Sequence, residues 1–148
     1  MSKRAWISGL LFVTAMSALA VAGPWLRRVE RRTCEYDAAR IEPANRVRVV
    51  DCCGRDHEFC CVTCAELWLK RSGIEPQAIH VTDESSGTEI SAESAIFVRS
   101  MVSTNPVIGD RIHAFRDANE AEKHSRFARG QILGEAERPF RAYANRDR

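Results

Sequence analysis

Five of the chain's six cysteines fall within one short run, Asp51-Cys52-Cys53-Gly54-Arg55-Asp56-His57-Glu58-Phe59-Cys60-Cys61-Val62-Thr63-Cys64, and the sixth, Cys34, lies upstream of it. Thiols this dense bind a soft or borderline metal, carry out thiol–disulfide exchange, or staple a domain through disulfides. Filling a core does not require them. A fold built around this run must bring Cys34 to it or leave that thiol apart.

The spacings within the run narrow the chemistry. Cys61-Val62-Thr63-Cys64 is a CxxC pair and Cys60 to Cys64 a CxxxC pair. Either spacing lets two sulfurs reach one ion. Zn2+ takes four thiolate or imidazole ligands, whereas Cu(I) is satisfied by two or three soft ones. Cys60 and Cys64 lead the candidate metal ligands, with Cys34 third and Cys61 and His57 in reserve. Cys52-Cys53 and Cys60-Cys61 are doublets, and on extended backbone one of each should point inward and the other outward. A CxxC at a helix start is also the geometry of a thiol oxidoreductase, with Cys61 and Cys64 as the pair. Here the helix follows no recognisable βαβ unit, and extra cysteines would mispair.

Secondary structure follows from pattern. Arg46 to Asp51 alternates Val47 and Val49 against Arg46 and Arg48 and predicts a strand. Gly54 to Asp56 suits a turn, and His57 to Cys60 a returning strand. Thr63-Cys64-Ala65-Glu66 reads as a capping box opening a helix from about Cys64 to Ser72, stopped by Gly73. Strands are expected at 78–82, 88–91, 95–98, 111–115 and 131–133, with a loop over 103–109 containing Pro106. A second helix is capped by Asp117 and ended by Gly130. The expected class is α+β: two small β-rich, ββαβ-like units, each with one helix, preceded by an N-terminal transmembrane helix. The chain divides into a tip (1–4), an apolar segment (5–26), a linker holding Cys34 (27–42), a cysteine-rich metal-binding unit (43–76), a second unit (77–134) and a charged, frayed tail (135–148).

The segment Ala5 to Leu26 contains no charge. As a helix it would measure roughly 33 Å, enough to cross a bilayer core. Trp6 and Trp25 mark its ends, and Arg27, Arg28, Arg31 and Arg32 follow. It reads as an uncleaved anchor or as a signal peptide cut near Ala20 or Ala22; its length favours the anchor. Beyond it the chain is net neutral, so nucleic acid is excluded as a partner class.

Other candidates are weaker. His113 lies on an apolar strand beside Phe115 and reads as a core or surface histidine. His80 and His124 have no cluster around them in sequence. Met101 follows a strand and reads as packing. No Ser/His/Asp set, carboxylate pair or phosphate-cradling Gly loop is present, so no catalytic residue, organic cofactor or small-molecule substrate is assigned.

Two stretches resemble the NosL-like family, accessory copper-binding proteins of nitrous oxide reductase. The first is Ile79-His80-Val81-Thr82-Asp83, then Ser86-Gly87-Thr88-Glu89-Ile90-Ser91-Ala92 and Ala95-Ile96-Phe97-Val98. A Pro loop at Asn105-Pro106, a strand ending Ala114-Phe115, a helix and a Gly then follow in the family's order. The second is Cys34-Glu35-Tyr36-Asp37, which matches the start of the family's Cys-x-x-Cys/Asp-Gly-Met element. Ala38 and Ala39 stand where Gly and Met are expected, and Val107 and Ile108 where the Pro loop carries Met. Phe59-Cys60 with Cys64 also resembles the Phe-Cys-x-x-x-Cys element of small treble-clef-like metal sensors of the TRASH type, in which an upstream cysteine such as Cys34 completes the site. These resemblances imply a metal-binding accessory protein that carries Cu(I) to a client metalloenzyme. They further imply an inner-membrane location, tethered through residues 5–26, with the body in the periplasm. With the thioethers missing, a thiolate-rich site is expected in their place, one that could hold Zn2+ as well. The alternatives are a structural zinc module docking a membrane complex and a membrane-tethered thiol oxidoreductase.

Overall fold

Val47, Val49 and Asp51 alternate with Arg48 and Val50, and that alternation sets one face of a sheet inward. The computed structural model describes residues 32–144. In it, strand β1 (Val47–Asp51) lies between β2 (Asp56–Phe59) and β3 (Pro76–Thr82), and β4 (Glu89–Ser91) completes a four-stranded antiparallel sheet ordered β2-β1-β3-β4. A second antiparallel sheet, ordered β6-β5-β7, comprises β5 (Ile96–Arg99), β6 (Ile112–Phe115) and β7 (Gln131–Ile132). Helix α1 (Val62–Ser72) packs on β1 and β2, and α2 (Ala118–Phe127) on β5, β6 and β7. The class is α+β, two small sheets with one helix each. The sheets divide between β4 and β5: β3 pairs along its length with β1 rather than opening the second sheet. The transmembrane or signal segment 5–26 lies outside the described residues. Among the described residues no helix is long and apolar enough to cross a membrane.

The core face of the first sheet carries Val47, Val49, Phe59 and Val81, all buried, and α1 covers it with Ala65 and Leu69. Trp68 of α1 lies over β2, its ring centroid 5.2 Å from Phe59 and 4.5 Å from His57. The opposite face is charged. Arg46 bridges Glu58 and Glu89 at 3.3 and 3.2 Å, and Arg48 reaches Asp56 at 2.8 Å and also pairs with Glu89. These half-buried pairs keep that face polar.

The β1–β2 hairpin is organised by one buried carboxylate. Asp51 accepts from the Cys53 and Arg55 N–H groups at 2.8 and 2.9 Å and from the Arg55 guanidinium at 2.7 Å. The Arg55 N–H, its guanidinium, the Cys53 N–H and His57 outweigh burial and hold the Asp51 carboxyl well below the usual carboxylate range. Cys52 and Cys53 sit in the turn that Asp51 pins, so strand alternation does not apply and both are exposed. The expected inward-and-outward split fails there.

Both helices begin and end through local chemistry, with one correction. α1 starts two residues early: Cys61 is the N-cap and makes no side-chain cap. Thr63 instead donates to Asp110 at 2.6 Å, and Glu66 accepts from the Phe140 N–H at 2.9 Å, so the expected capping box is not formed. Gly73 ends α1 at φ 66°, its N–H on the Leu69 carbonyl, as expected. Asp117 caps α2 through the Asn119 and Glu120 N–H groups. After α2, Arg129 rather than Gly130 takes the left-handed position. Gly130 is there for close packing, since a Cβ would fall 2.8 Å from the Arg99 carbonyl oxygen.

Two segments expected to be loose are docked. Residues 32–42 pair back on themselves through the Thr33–Arg40 bridge, and Glu35 N–H donates to Glu58 O at 3.1 Å, tying this hairpin to β2. In the tail, Phe140 is buried beside Phe97 at 6.4 Å, and Arg138 donates to the Ala92 and Ala95 carbonyls, each at 3.0 Å.

Two outcomes follow for unfolding in urea. Gly130→Ala should cost about 1–3 kcal/mol, because the methyl meets backbone that cannot yield freely. Asp51→Asn should lose stability fully above about pH 4. Asp51 binds its proton less readily folded than unfolded, so its contribution fades as pH falls below the unfolded value of about 3.9. The gap between wild type and Asp51→Asn should therefore narrow between about pH 4 and pH 2; a gap independent of pH would show that its charge is not what matters.

Candidate metal centre

The site forms where β2 turns into α1. Phe59 ends the strand, Cys60 and Cys61 make the corner, and Cys64 faces inward from the first turn of α1. Both members of this doublet are buried, against the expected alternation. The reason is that both sides of the corner are covered. The Cys34–Ala39 turn closes one side and the Asn105–Asp110 loop the other.

Four donors converge. One ligand atom each from Cys34, Asp37, Cys60 and Cys64 lies within 4.8 Å of the others. Cys60 and Cys64 sulfurs are 3.5 Å apart. Asp37 reaches Cys64 Sγ at 3.4 Å and Cys60 Sγ at 3.7 Å. Cys34, Cys60 and Cys64 are 3%, 4% and 0% exposed, so the thiols are dry, while Asp37 is only half-buried and opens toward the surface. Three of the five expected ligands are thus in the group.

Cys61 adjoins it without joining it, its sulfur 3.9 Å from that of Cys60. His57 stands apart, bonded to Glu35 at 2.7 Å and near Asp51 at 3.4 Å on the face under Trp68. Cys52 and Cys53, with sulfurs 3.8 Å apart, occupy the hairpin tip.

Two residues the sequence reading left out of the ligand set complete the centre. Asp37 is three residues beyond Cys34, a spacing the turn converts into proximity: Cys34 N–H donates to Ala39 O and Asp37 accepts the Ala39 N–H. The turn is completed by Ala38 at φ 57°, a left-handed conformation that glycine adopts without cost. Asn105 is buried, and its Oδ1 accepts the Val107 N–H at 2.8 Å. That fixes its amide nitrogen as the group facing the site, 3.1 Å from Cys60 Sγ and 3.2 Å from Asp37. Asp110 holds this loop by accepting from Thr63 and Thr104, each at 2.6 Å. The only sequence signal for Asn105 was its place before Pro106. Val107, at the position of the missing methionine, is 77% exposed.

The electrostatics keep the thiols neutral. Burial, reinforced by the neighbouring sulfurs, pushes the Cys60 and Cys64 thiols far up, and burial raises Cys61 to about 11. Burial pushes Asp37 up as well, but hydrogen bonds from Cys34, the Ala39 N–H, Cys64 and Asn105 leave it below the usual carboxylate range. A carboxylate beside three thiols supplies one fixed negative charge and an outlet for protons. A metal would have to displace the thiol protons. Three sulfurs and one oxygen fit Cu(I) through two or three sulfurs, or tetrahedral Zn2+ through all four donors.

No family model matches the chain, and no curated protein matches it. Among solved structures, its fold is similar to the crystal structure of the copper chaperone NosL from Shewanella denitrificans, at TM-score 0.57 and 16% identity, over 69% of this chain and 85% of that one. The fold is NosL-like. Within that fold, the turn after Cys34 and the Pro loop are the segments that close over the thiols.

Ala38→Gly should stabilise the fold by about 0.5–1 kcal/mol, since the left-handed strain of a Cβ exceeds the added freedom of the unfolded chain. Chemical unfolding of the two proteins checks this; a loss of stability would mean that the turn is not held left-handed.

Proposed function

We propose that this protein is a membrane-anchored metal-binding accessory protein that carries Cu(I) on Cys60 and Cys64, with Cys34 as third ligand, and passes it to a client metalloenzyme such as nitrous oxide reductase. What carries the reading is the convergence of Cys34, Asp37, Cys60 and Cys64 within 4.8 Å, from two segments distant in sequence. The NosL-like fold supports it, and so does the excess of sulfur over oxygen among the donors, which suits a soft cation. Residues 5–26 serve as the tether, with the body in the periplasm.

Transfer proceeds by ligand exchange. The ion leaves most easily past Asp37, the one donor with a solvent-facing side. A client thiol or imidazole bonds the metal as one of the chain's sulfurs lets go and recovers a proton. Asn105, donating to Cys60, favours that sulfur in its charged form.

The deep burial of the thiols favours a second reading, a structural Zn2+ module docking a membrane complex. It disfavours the oxidoreductase: an attacking thiol needs a low pKa and exposure, whereas Cys61 is 1% exposed and its thiol sits at about 11.

Anaerobic, reduced protein loaded with Cu(I) and Zn2+ in competition, read by native mass spectrometry with thiol protection, separates these. Delivery predicts one Cu(I) that displaces Zn2+ from the thiols, is lost in Cys60→Ser and Cys64→Ser, and is kept in Cys52→Ser. Affinity should rise with pH as the thiol protons become easier to displace. Zinc that copper cannot remove without unfolding the chain would select the structural module. Thiols that take neither metal would sink both.

A further inference from the structure

A second cluster of donor side chains lies on the other sheet. Glu84, His113 and His124 each place one donor atom within 4.8 Å of the others. They come from three elements: the loop after β3, strand β6 and helix α2. The loop is held in place independently of Glu84's side chain. Glu84 N–H donates to Ala114 O at 3.0 Å, and Asp83 accepts from Ser85 and Ser86 hydroxyls and from the Arg116 N–H. The two imidazole rings lie 4.2 Å apart at 43°.

The contacts of His113, which is 3% exposed, place a proton on one of its ring nitrogens. Its Nε2 faces the Val102 carbonyl at 3.1 Å, which can only accept, so Nε2 carries a proton. Ser100 Oγ, at 3.0 Å from the same nitrogen, accepts the Val102 N–H and buttresses the ring. In the neutral ring Nδ1 is then a lone pair, and it points at the Glu84 carboxylate in very close contact. A cation shared between the two groups accounts for that contact. A proton is one such cation, but it leaves His124 unexplained. His124 Nε2 is buried with no hydrogen-bond partner, and Nδ1 is 3.8 Å from Glu84, too far for a hydrogen bond. A single metal ion would serve all three residues. An imidazole whose outer N–H donates to a backbone carbonyl is also the arrangement that orients a histidine ligand.

We propose that Glu84, His113 and His124 form a binding site for a borderline divalent cation, of the class of Zn2+, separate from the thiol centre. Two nitrogens and a carboxylate oxygen suit Zn2+ and lack the sulfur that would hold Cu(I). The site is reachable: Glu84 and His124 line an open surface depression together with Glu120, Lys123 and Phe127. That depression would give water or a partner's donor access to a bound ion.

The test is a Zn2+ titration of the full-length, 15N-labelled protein, following the ring nitrogens of all four histidines by long-range 1H–15N NMR. The histidine signals report this site whatever the thiols bind. His113 Nδ1 and a His124 nitrogen should move together to metal-bound values, with His57 and His80 unmoved. His124→Leu should abolish the His113 shift and weaken zinc binding there at least about tenfold, with thiol reactivity unchanged. Glu84→Gln, which keeps the shape, should weaken it likewise and serves if His124→Leu does not fold. Rings that stay unmoved while the thiols take zinc would overturn the proposal. So would a His113 protonated at both nitrogens throughout, or a His113 shift that survives both substitutions.

Discussion

Placing Cys60 and Cys61 at the corner between a strand and a helix is the constraint from which the rest of the centre follows. At that corner the backbone leaves the sheet, so no neighbouring strand can shield the sulfurs. Two other segments must do it, and each needs its own anchor. The Cys34 turn is anchored by Glu35 N–H on β2 and by the Arg32–Glu58 ion pair. The Pro loop is anchored by Asp110, which reaches across to Thr63 on α1 itself. The Asn105–Asp37 hydrogen bond then joins the two covers above the thiols. Sealing the corner and assembling the donors are the same event.

This explains which parts were legible in the sequence. Strands with clean alternation, such as Val47–Asp51, and helix ends set by local chemistry, such as Gly73 and Asp117, depend on a few neighbouring residues and were read correctly. The capping box at Thr63 and Glu66 was locally plausible but lost to tertiary partners: Asp110 took the hydroxyl and the Phe140 N–H took the carboxylate. The doublet rule failed at both pairs because alternation holds only inside a strand. Cys52 and Cys53 are in a turn, and Cys60 and Cys61 are at a corner. Residues 32–42 and the tail looked loose because what fixes them is distant: β2 for one, and β5 with the β4–β5 turn for the other.

The site divides along the same line. Cys60 and Cys64 are four residues apart across the start of a helix, so their approach is a local fact. Cys34 had to be guessed from chemistry, and Asn105 had no signal beyond a loop proline. His57 misled because it is close in sequence to the thiols, yet β2 directs it under Trp68 toward Asp51 and Glu35. His113 and His124 show the converse. In sequence each is solitary, and only the packing of α2 against β6 brings their rings to 4.2 Å.

The two donor clusters differ in hardness, and that difference bears on how one small chain could handle a reactive cargo. A delivery site must hold its ion tightly enough to exclude water and loosely enough to release it. Sulfur donors alone, fully buried, would meet the first condition and fail the second. In the proposed delivery site Asp37 would resolve the conflict: a carboxylate is a weak ligand for a soft ion, its charge would balance the cation, and it is half-buried where the thiols are buried. The proposed histidine–carboxylate cluster on the second sheet would offer a borderline ion a sulfur-free alternative to the thiols. By drawing zinc to imidazole, that second cluster would leave the sulfur site to the softer metal, so selectivity for copper would rest on the whole domain rather than on three cysteines.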